Sequence, residues 1–131
     1  MLQAALRSVQ RNGSHAETLP VCRGESCSWS RDVAACLKDG TCRIAIVFCA
    51  DPGLICCVAN KVPGVRAVAV WTIPQAHRAL DVLGANLLAV EMGGRTYYEC
   101  KELLCLCRDH SCSCPPGVAC VLQELDGHAH R

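Results

Sequence analysis

The stretch Cys49-Ala-Asp-Pro-Gly-Leu-Ile-Cys-Cys-Val-Ala-Asn-Lys-Val-Pro-Gly-Val-Arg66 decides the fold, because it predicts a helix that begins and ends at identifiable signals. Asp51 can cap the free N–H groups of a first turn, and Pro52 fits the first helical position, where its missing N–H costs nothing. Pro63-Gly64 ends the helix. The apolar residues at helical spacing are Leu54, Cys57 and Val58.

Strands are predicted on both sides of this helix. Residues 43–48 form a short apolar run rich in β-branched side chains, as expected for a buried strand, and residues 67–70 form a second one. With such a short crossover the two strands should be parallel. Cys49 then lies at the carboxyl end of the first strand, where open α/β sheets bind ligands.

The alternation of strand and helix continues downstream. Ile73-Pro74 begins a helix for which Gly84 is the expected C-cap, residues 86–90 are a third strand, and residues 98–107 are a further helix. The buried stripe of the first of these helices is predicted at Ala76, Ala79, Leu80 and Leu83. We therefore predict a Rossmann-like three-layer α/β/α sandwich with a mostly parallel sheet.

The first third of the chain is less regular. Residues 2–10 predict a helix ended by Asn12-Gly13, although residues 1–16, which contain no acidic residue, also fit an organelle transit peptide. Residues 17–22 are interpreted as a short edge strand that tolerates Pro20. Ser28-Trp29-Ser30 is the predicted cap of a helix over residues 31–38.

Composition limits the classes of function. The 131 residues suit one domain, and the net charge of +1 favours neither nucleic acid nor an anionic membrane surface as a partner. No apolar run approaches the roughly 18 residues of a membrane span. The thirteen cysteines are interpreted mostly as reduced, small core residues, which predicts a cytoplasmic protein.

Three segments resemble the family of ribose-5-phosphate isomerase B and galactose-6-phosphate isomerase. They are Cys49 at its strand end, Ala59-Asn-Lys-Val-Pro-Gly-Val-Arg66, and Ala85-Asn-Leu-Leu-Ala89, and the similarity runs from about Val33 to about Cys107. The resemblance implies an isomerase domain over residues 1–110, followed by an extension with Cys, Pro and His residues over 111–131. Family members open with a strand that ends in Asp-His; we expect a member shortened at the N-terminus, or a truncated gene model.

The same resemblance implies an activity. It implies aldose–ketose isomerisation of a sugar phosphate, in pentose phosphate or galactose 6-phosphate metabolism, through an enediolate and with neither a metal nor an organic cofactor. Cys49 matches the general base, while Asn60, Asn86 and Gly53 are the candidate substrate-binding residues. Family members are dimers whose sites borrow residues from the partner, so a homodimer or a heterodimer with a related subunit is expected.

The chain departs from the family where negative charge must develop. The family's Gly-Thr-Gly-x-Gly loop is replaced by residues 50–54, in which Pro52 lacks a donor and Asp51 adds a carboxylate unless it caps the helix. Val82 stands where the family has its ring-opening histidine, and we expect the nearby His77 to face solvent. The alternative is therefore a catalytically impaired homologue that binds a sugar phosphate or pairs with a competent subunit.

Two further interpretations concern cysteines. Cys49 is equally well explained as a buried structural thiol. The cluster Cys105, Cys107, His110, Cys112 and Cys114 is dense in zinc-binding residue types, but its Cys-x-Cys spacings are unusual for such a site. We predict no metal site, and we keep a regulatory or redox-sensing cysteine protein as a third class of function.

Overall fold

The computed structural model describes residues 1–13, 16, 18, 26–111 and 113–128. The elements in chain order are α1 (Leu2–Arg11), α2 (Ser26–Lys38), β1 (Ala45–Cys49), α3 (Pro52–Ala59), β2 (Ala67–Val70), α4 (Ile73–Leu83), β3 (Leu87–Glu91), α5 (Tyr97–Asp109) and α6 (Pro116–His128). In this part of the chain the sheet has three parallel strands in the order β1-β3-β2. The register pairs Ala45 with Leu87 and Ala67 with Leu87 across the two ladders.

Helices cover both faces of the sheet, which confirms the predicted α/β/α sandwich. Successive strand residues point to opposite faces, so Leu87 and Ala89 of β3 join one core while Leu88 and Val90 join the other. The first core contains residues of α2 and α3, and the second contains residues of α4 and α5. Helix α1 packs against α5.

Local signals explain both ends of α4 and the start of α5. Thr72 and Thr96 begin α4 and α5 with reciprocal capping boxes, each exchanging hydrogen bonds with the residue three positions on. Gly84 ends α4 in the left-handed region, at φ 65°, as its sequence position predicted. Only a residue without a Cβ fits there readily, because Ser113 and Cys114 lie against that position.

Several predictions about the helices are wrong. Ser28-Trp29-Ser30 is not a cap, since α2 begins at Ser26 and Ser30 lies buried within it, donating to the carbonyl oxygen of Ile55 at 2.9 Å. The buried face of α3 is formed by Pro52, Ile55 and Ala59 rather than by Leu54, Cys57 and Val58, and Leu54 is 46% exposed. Apolar residues on every side of this helix made its inward face ambiguous from periodicity alone.

The remaining predictions on the chain ends have mixed outcomes. The strand predicted at 17–22 lies outside the described residues except for Thr18, which is in no regular element. The division at residue 110 stays a prediction; α6 falls within the expected extension, where Asp126 Oδ2 accepts the backbone N–H of Gly64 at 2.9 Å. In the part of the chain that is described, no helix is long and apolar enough to cross a membrane.

Candidate functional site

The candidate site is the carboxyl edge of the sheet where β1 and β3 end side by side, a place named the crevice from the topology of the strands. Helix α3 leaves β1 toward one face, whereas α5 leaves β3 toward the other. Neighbouring strands whose following helices diverge in this way leave a gap in which α/β proteins bind ligands. Cys49 and Glu91 are register partners at this place, so the predicted position of Cys49 is confirmed.

The Cys49 thiol is partly buried and hydrogen-bonded weakly. Its Sγ donates to the carbonyl oxygen of Val90 at 3.7 Å. Burial raises the pKa of Cys49, the backbone N–H of Asp51 works in the opposite direction, and the carboxylates of Asp51 and Glu91 raise it further. The protonated thiol is therefore the predominant form at neutral pH, and a base at this position acts through a minor thiolate fraction.

The first turn of α3 forms one wall of the crevice. Asp51 occupies the N-cap position, but its side chain makes no capping hydrogen bond, and Pro52 follows at the start of the helix. The carboxylate of Asp51 therefore does not serve as a helix cap. Gly53 is exposed in this first turn, so the structure brings Cys49, Asp51 and Gly53 to the same end of the sheet.

A polar network that the sequence did not predict lines the edge beyond β3. Trp71 Nε1 donates to Glu91 Oε2 at 2.7 Å, and Arg95 donates to the carbonyl oxygen of Trp71 while pairing with Glu99 at 3.1 Å. The Nε of Arg95 is buried without a hydrogen-bond partner among the described residues. Arg95 follows the Gly93-Gly94 turn, and a cation directly after a strand and a glycine turn is the signal that would have revealed it.

Asn60 and Asn86 lie at the opposite, amino end of the sheet. Asn60 Oδ1 accepts the N–H of Ala67 at 2.7 Å while its Nδ2 donates to the carbonyl of the same residue at 2.9 Å. Asn86 Oδ1 accepts the N–H of Arg66 at 2.7 Å, and its Nδ2 donates to the carbonyl of Gly64 at 3.0 Å. Both amides brace the start of β2, and neither shares the crevice with Cys49.

Other positions considered from the sequence lie on helices or at helix ends rather than at the ends of β1 and β3. His77 is exposed on α4, as expected, and Val82 is 51% exposed near the end of the same helix. His110 Nε2 pairs with Asp81 Oδ1 at 3.0 Å, close to the C-terminal end of α5. That end of α5 is fixed near the start of β1 by Arg43, which donates to the carbonyl oxygens of residues 107, 108 and 110.

The cysteines are more exposed than the sequence predicted. Of those in the described ranges, Cys100 and Cys107 are buried, while the others are partly or fully exposed, which corrects the interpretation of most of them as core residues. Cys112, one member of the dense C-terminal group, lies outside these ranges. Within them, no three His, Cys, Asp or Glu side chains are arranged to hold a metal ion.

The chain is similar to a known protein family and to several solved structures. The family model described as Ribose/Galactose Isomerase matches residues 7–105. Ribose-5-phosphate isomerase B of Clostridium thermocellum is 19% identical with a TM-score of 0.78, and the match covers 98% of this chain and 89% of that one. The Mycoplasma genitalium enzyme, solved with bound ribulose-5-phosphate, is 16% identical (TM-score 0.74; 98% and 88% covered).

A third similar structure is the type B ribose 5-phosphate isomerase of Trypanosoma brucei, 18% identical with a TM-score of 0.74 and covering 96% of this chain and 88% of that one. No curated protein matches the sequence significantly. The fold is an α/β sandwich with three parallel strands in the described part of the chain, and the crevice at the carboxyl edge is its candidate ligand site. The chain belongs to the ribose/galactose isomerase family, and family and fold together indicate a sugar-phosphate isomerase type.

Proposed function

We propose that this protein interconverts an aldose phosphate and a ketose phosphate, with Cys49 as the group that moves the proton. The observation that carries the proposal is the position of its thiol in the crevice between β1 and β3, with the Asp51 N–H directed at the sulfur. An N–H beside the sulfur favours the thiolate. Pentose 5-phosphates and galactose 6-phosphate are the substrate classes that the family membership suggests.

The proposed reaction begins with the open-chain aldose. The Cys49 thiolate removes the proton from C2, the C2 electron pair forms the C1–C2 double bond, and the carbonyl oxygen O1 takes the negative charge. The thiol then returns the proton to C1, while the hydroxyl proton of O2 passes to O1 and the C2 carbonyl forms. No net oxidation occurs, so the step requires no external electron acceptor.

The charges around the crevice determine how well this reaction proceeds. Asp51 and Glu91 disfavour both the thiolate and the enediolate, because like charges repel at short range. The exposed first turn of α3, with Gly53, offers backbone N–H groups to the developing oxyanion. Arg95 supplies a cation at the same edge of the sheet. We therefore expect turnover that is slow at neutral pH and rises as the pH increases.

We also propose that the active form is a dimer. Asn60 and Asn86 are too far along the sheet to contact a substrate beside Cys49 of the same chain, since they lie at its other end. They contribute to a site only if the amino end of one subunit faces the crevice of another. Exposed apolar side chains on α6, Val121 at 54% and Leu125 at 58%, provide a surface for such a contact. Analytical ultracentrifugation of the purified chain tests this assembly.

The test of function compares the wild-type protein with Cys49→Ala on ribose 5-phosphate and galactose 6-phosphate. We expect Cys49→Ala to lower kcat/KM by about 100-fold or more, as the loss of a general base does. Cys57→Ala is the matched control, because it removes an exposed thiol from α3, the helix that follows Cys49. This variant should keep wild-type turnover. Equal activity in the wild type and Cys49→Ala would contradict the role of Cys49.

Thermal stabilisation by the same sugar phosphates separates the remaining outcomes. Stabilisation without turnover in the wild type would favour the impaired homologue that only binds a sugar phosphate or supports a competent subunit. The absence of both turnover and thermal stabilisation with these two sugar phosphates would overturn the proposed function. The ligand-free protein provides the reference melting temperature in each case.

A further inference from the structure

The chain turns back on itself directly after α2, and this turn brings two cysteines together. Cys36 lies in the last turn of α2, and its carbonyl oxygen accepts the backbone N–H of Cys42 at 3.4 Å. With standard bond lengths, a backbone hydrogen bond of this kind holds two Cα atoms roughly 5–7 Å apart. Cysteines joined by a disulfide usually have Cα atoms about 4.4–6.8 Å apart, so the backbone separation here suits a bridge.

Local interactions hold the turn between the two cysteines. Asp39 Oδ1 accepts the backbone N–H of Thr41 at 2.9 Å and also accepts the hydroxyl of the same residue. A carboxylate that bonds the backbone two residues on is a common turn-forming device. Gly40 lies between them at φ 82°, in the left-handed region that glycine adopts without strain. The return of the chain to Cys36 is therefore built into residues 39–41.

The two thiols are accessible and close to each other. Cys36 and Cys42 are both partly exposed, and Cys42 also packs against the core that contains residues of α2 and α3. Burial is the largest cause of the raised pKa of Cys42, and the charge of an ionised Cys36 is the next. Like charges shift each other's pKa appreciably only at short range, so the side chains approach each other as the backbones do.

We propose that Cys36 and Cys42 are a dithiol site that reduces a low-molecular-weight disulfide and becomes an intramolecular disulfide itself. The thiolate of one cysteine attacks a sulfur of the small disulfide, which breaks its S–S bond and releases one thiol. The thiolate of the other cysteine attacks the protein sulfur of the mixed disulfide and releases the second thiol. Two protein thiols are oxidised, the small disulfide is reduced, and the two thiol protons pass to the released thiols.

This dithiol is separate from the proposed isomerase base. Cys42 precedes β1 and Cys49 ends it, so the two residues lie toward opposite ends of that strand. The reaction consumes neither Cys49 nor a sugar phosphate, and it does not depend on the isomerase activity. Its product is a covalent link between the end of α2 and the segment that enters β1.

The test incubates the purified full chain with mixtures of reduced and oxidised glutathione, blocks the remaining thiols with N-ethylmaleimide, and analyses tryptic peptides by mass spectrometry. Trypsin cleaves after Lys38, so Cys36 and Cys42 fall in separate peptides, 32–38 and 39–43, each with one cysteine. We expect these two peptides to be linked, lighter than their sum by two hydrogen atoms, and to separate again on reduction.

The glutathione ratio at half conversion gives the effective concentration of the two thiols. This value should be about tenfold or more higher in the folded protein than in the same chain in concentrated urea, because the turn holds the cysteines together only in the folded state. The bridged protein should then unfold at a higher urea concentration than the reduced protein. Cys120→Ser, which removes an exposed thiol from α6, is the control and should keep the wild-type value.

Two substitutions of Asp39 test whether the turn positions the thiols. Asp39→Ala removes the acceptor of the Thr41 N–H and should lower the effective concentration several-fold. Asp39→Asn keeps an oxygen that accepts this N–H but removes the charge, so it should stay close to the wild type. Equal values in the wild type and Asp39→Ala would contradict the positioning role of the turn.

Three results would overturn the proposal. The first is that peptides 32–38 and 39–43 are not linked at any glutathione ratio. The second is that Cys36 is linked mainly to a cysteine other than Cys42. The third is an effective concentration in the folded protein no higher than in urea, which would mean that the structure does not bring the two thiols together.

Discussion

Cys49 and Glu91 stand opposite each other in the parallel ladder, so a thiol and a carboxylate leave the sheet side by side at its carboxyl edge. Burial is the largest cause of the raised pKa of Cys49, and the carboxylates of Asp51 and Glu91 raise it further. The carboxylate of Asp51 makes no capping hydrogen bond. Single substitutions can remove the part of the shift that comes from these charges.

The substitution Asp51→Asn should lower the pKa of Cys49, because it removes one of the two carboxylates that raise it. At a fixed pH a lower pKa means more thiolate, so alkylation of Cys49 by iodoacetamide should be several-fold faster, and the pH profile of turnover should move to lower pH. Peptide mapping by mass spectrometry measures alkylation at Cys49 separately from the other cysteines. Glu102→Gln, an exposed acid on α5, is the control and should change neither quantity.

The stability of the protein should fall at alkaline pH partly through Cys56. Burial, followed by the nearby Cys49, raises the pKa of Cys56 from its usual 9.0 to about 11. Below pH 9 the thiol is protonated in both states, but between pH 9 and 11 the unfolded chain ionises first, which favours unfolding. Cys56→Ala should reduce this loss of stability by about 1 kcal/mol, less than a full shift would give because the thiol is partly exposed.

Urea unfolding at a series of pH values measures this effect as the slope of the free energy of unfolding against pH. Cys57→Ala, one position along and exposed, should retain the wild-type dependence. If Cys56→Ala and the wild type have the same slope, Cys56 does not contribute to the loss of stability at alkaline pH.

Gly84→Ala should destabilise the protein strongly. Its backbone is left-handed, at φ 65°, and a Cβ would lie 2.6 Å from the carbonyl carbon of Ser113 and 2.7 Å from the N of Cys114. Backbone strain and overlap together should cost about 2–4 kcal/mol in chemical denaturation. Gly94→Ala is the matched control, with φ 77° and no atom within 4 Å of the new Cβ, and should cost only about 1 kcal/mol.

Asn86→Ala should act on stability rather than on substrate affinity. It removes hydrogen bonds to the N–H of Arg66 and the carbonyl of Gly64 from a side chain that is 8% exposed. Leaving those groups unpaired should cost about 2 kcal/mol in thermal or urea unfolding. The exposed Asn12→Ala should stay within about 0.5 kcal/mol of the wild type. A raised KM with an unchanged melting temperature would instead identify Asn86 as a substrate contact.

The order of elements was predictable from the sequence because its signals are local. Pro52 and Gly84 mark helix ends through their own backbone preferences, and the strands are short apolar runs between the helices. The end of α3 was predicted too late, because the helix stops at Ala59 with Asn60 as its C-cap, ahead of Pro63-Gly64. The buried face of α3 was not predictable, since apolar residues surround that helix and tertiary packing chose Ile55. The start of α2 was misplaced because serine is common at caps, yet Ser30 satisfies its hydroxyl across the core.

The candidate site was predictable only in part, for a similar reason. Cys49 follows from its place at the end of a strand, which topology carries to the crevice. Asn60 and Asn86 looked like ligand contacts because amides bind sugars well, but the same amides can brace a turn. The backbone partner of Asn60 lies 7 residues away in the sequence and that of Asn86 lies 22 residues away, and no local pattern marks either contact. The hydrogen bonds among Trp71, Glu91 and Arg95 join the loop after β2, the end of β3 and the loop after β3, so they produce no periodic pattern in the sequence.

The helices around the crevice differ in how firmly they begin. Thr72 and Thr96 tie down the first turns of α4 and α5 through reciprocal caps, whereas the Asp51 side chain leaves the first turn of α3 untied. A cap stabilises a helix end by about 1 kcal/mol, which corresponds to about a fivefold difference in how often the end opens. We therefore expect the first turn of α3 to open more often than the first turns of α4 and α5. The segment that carries Gly53 is then the part of the candidate site that adjusts most readily to a ligand.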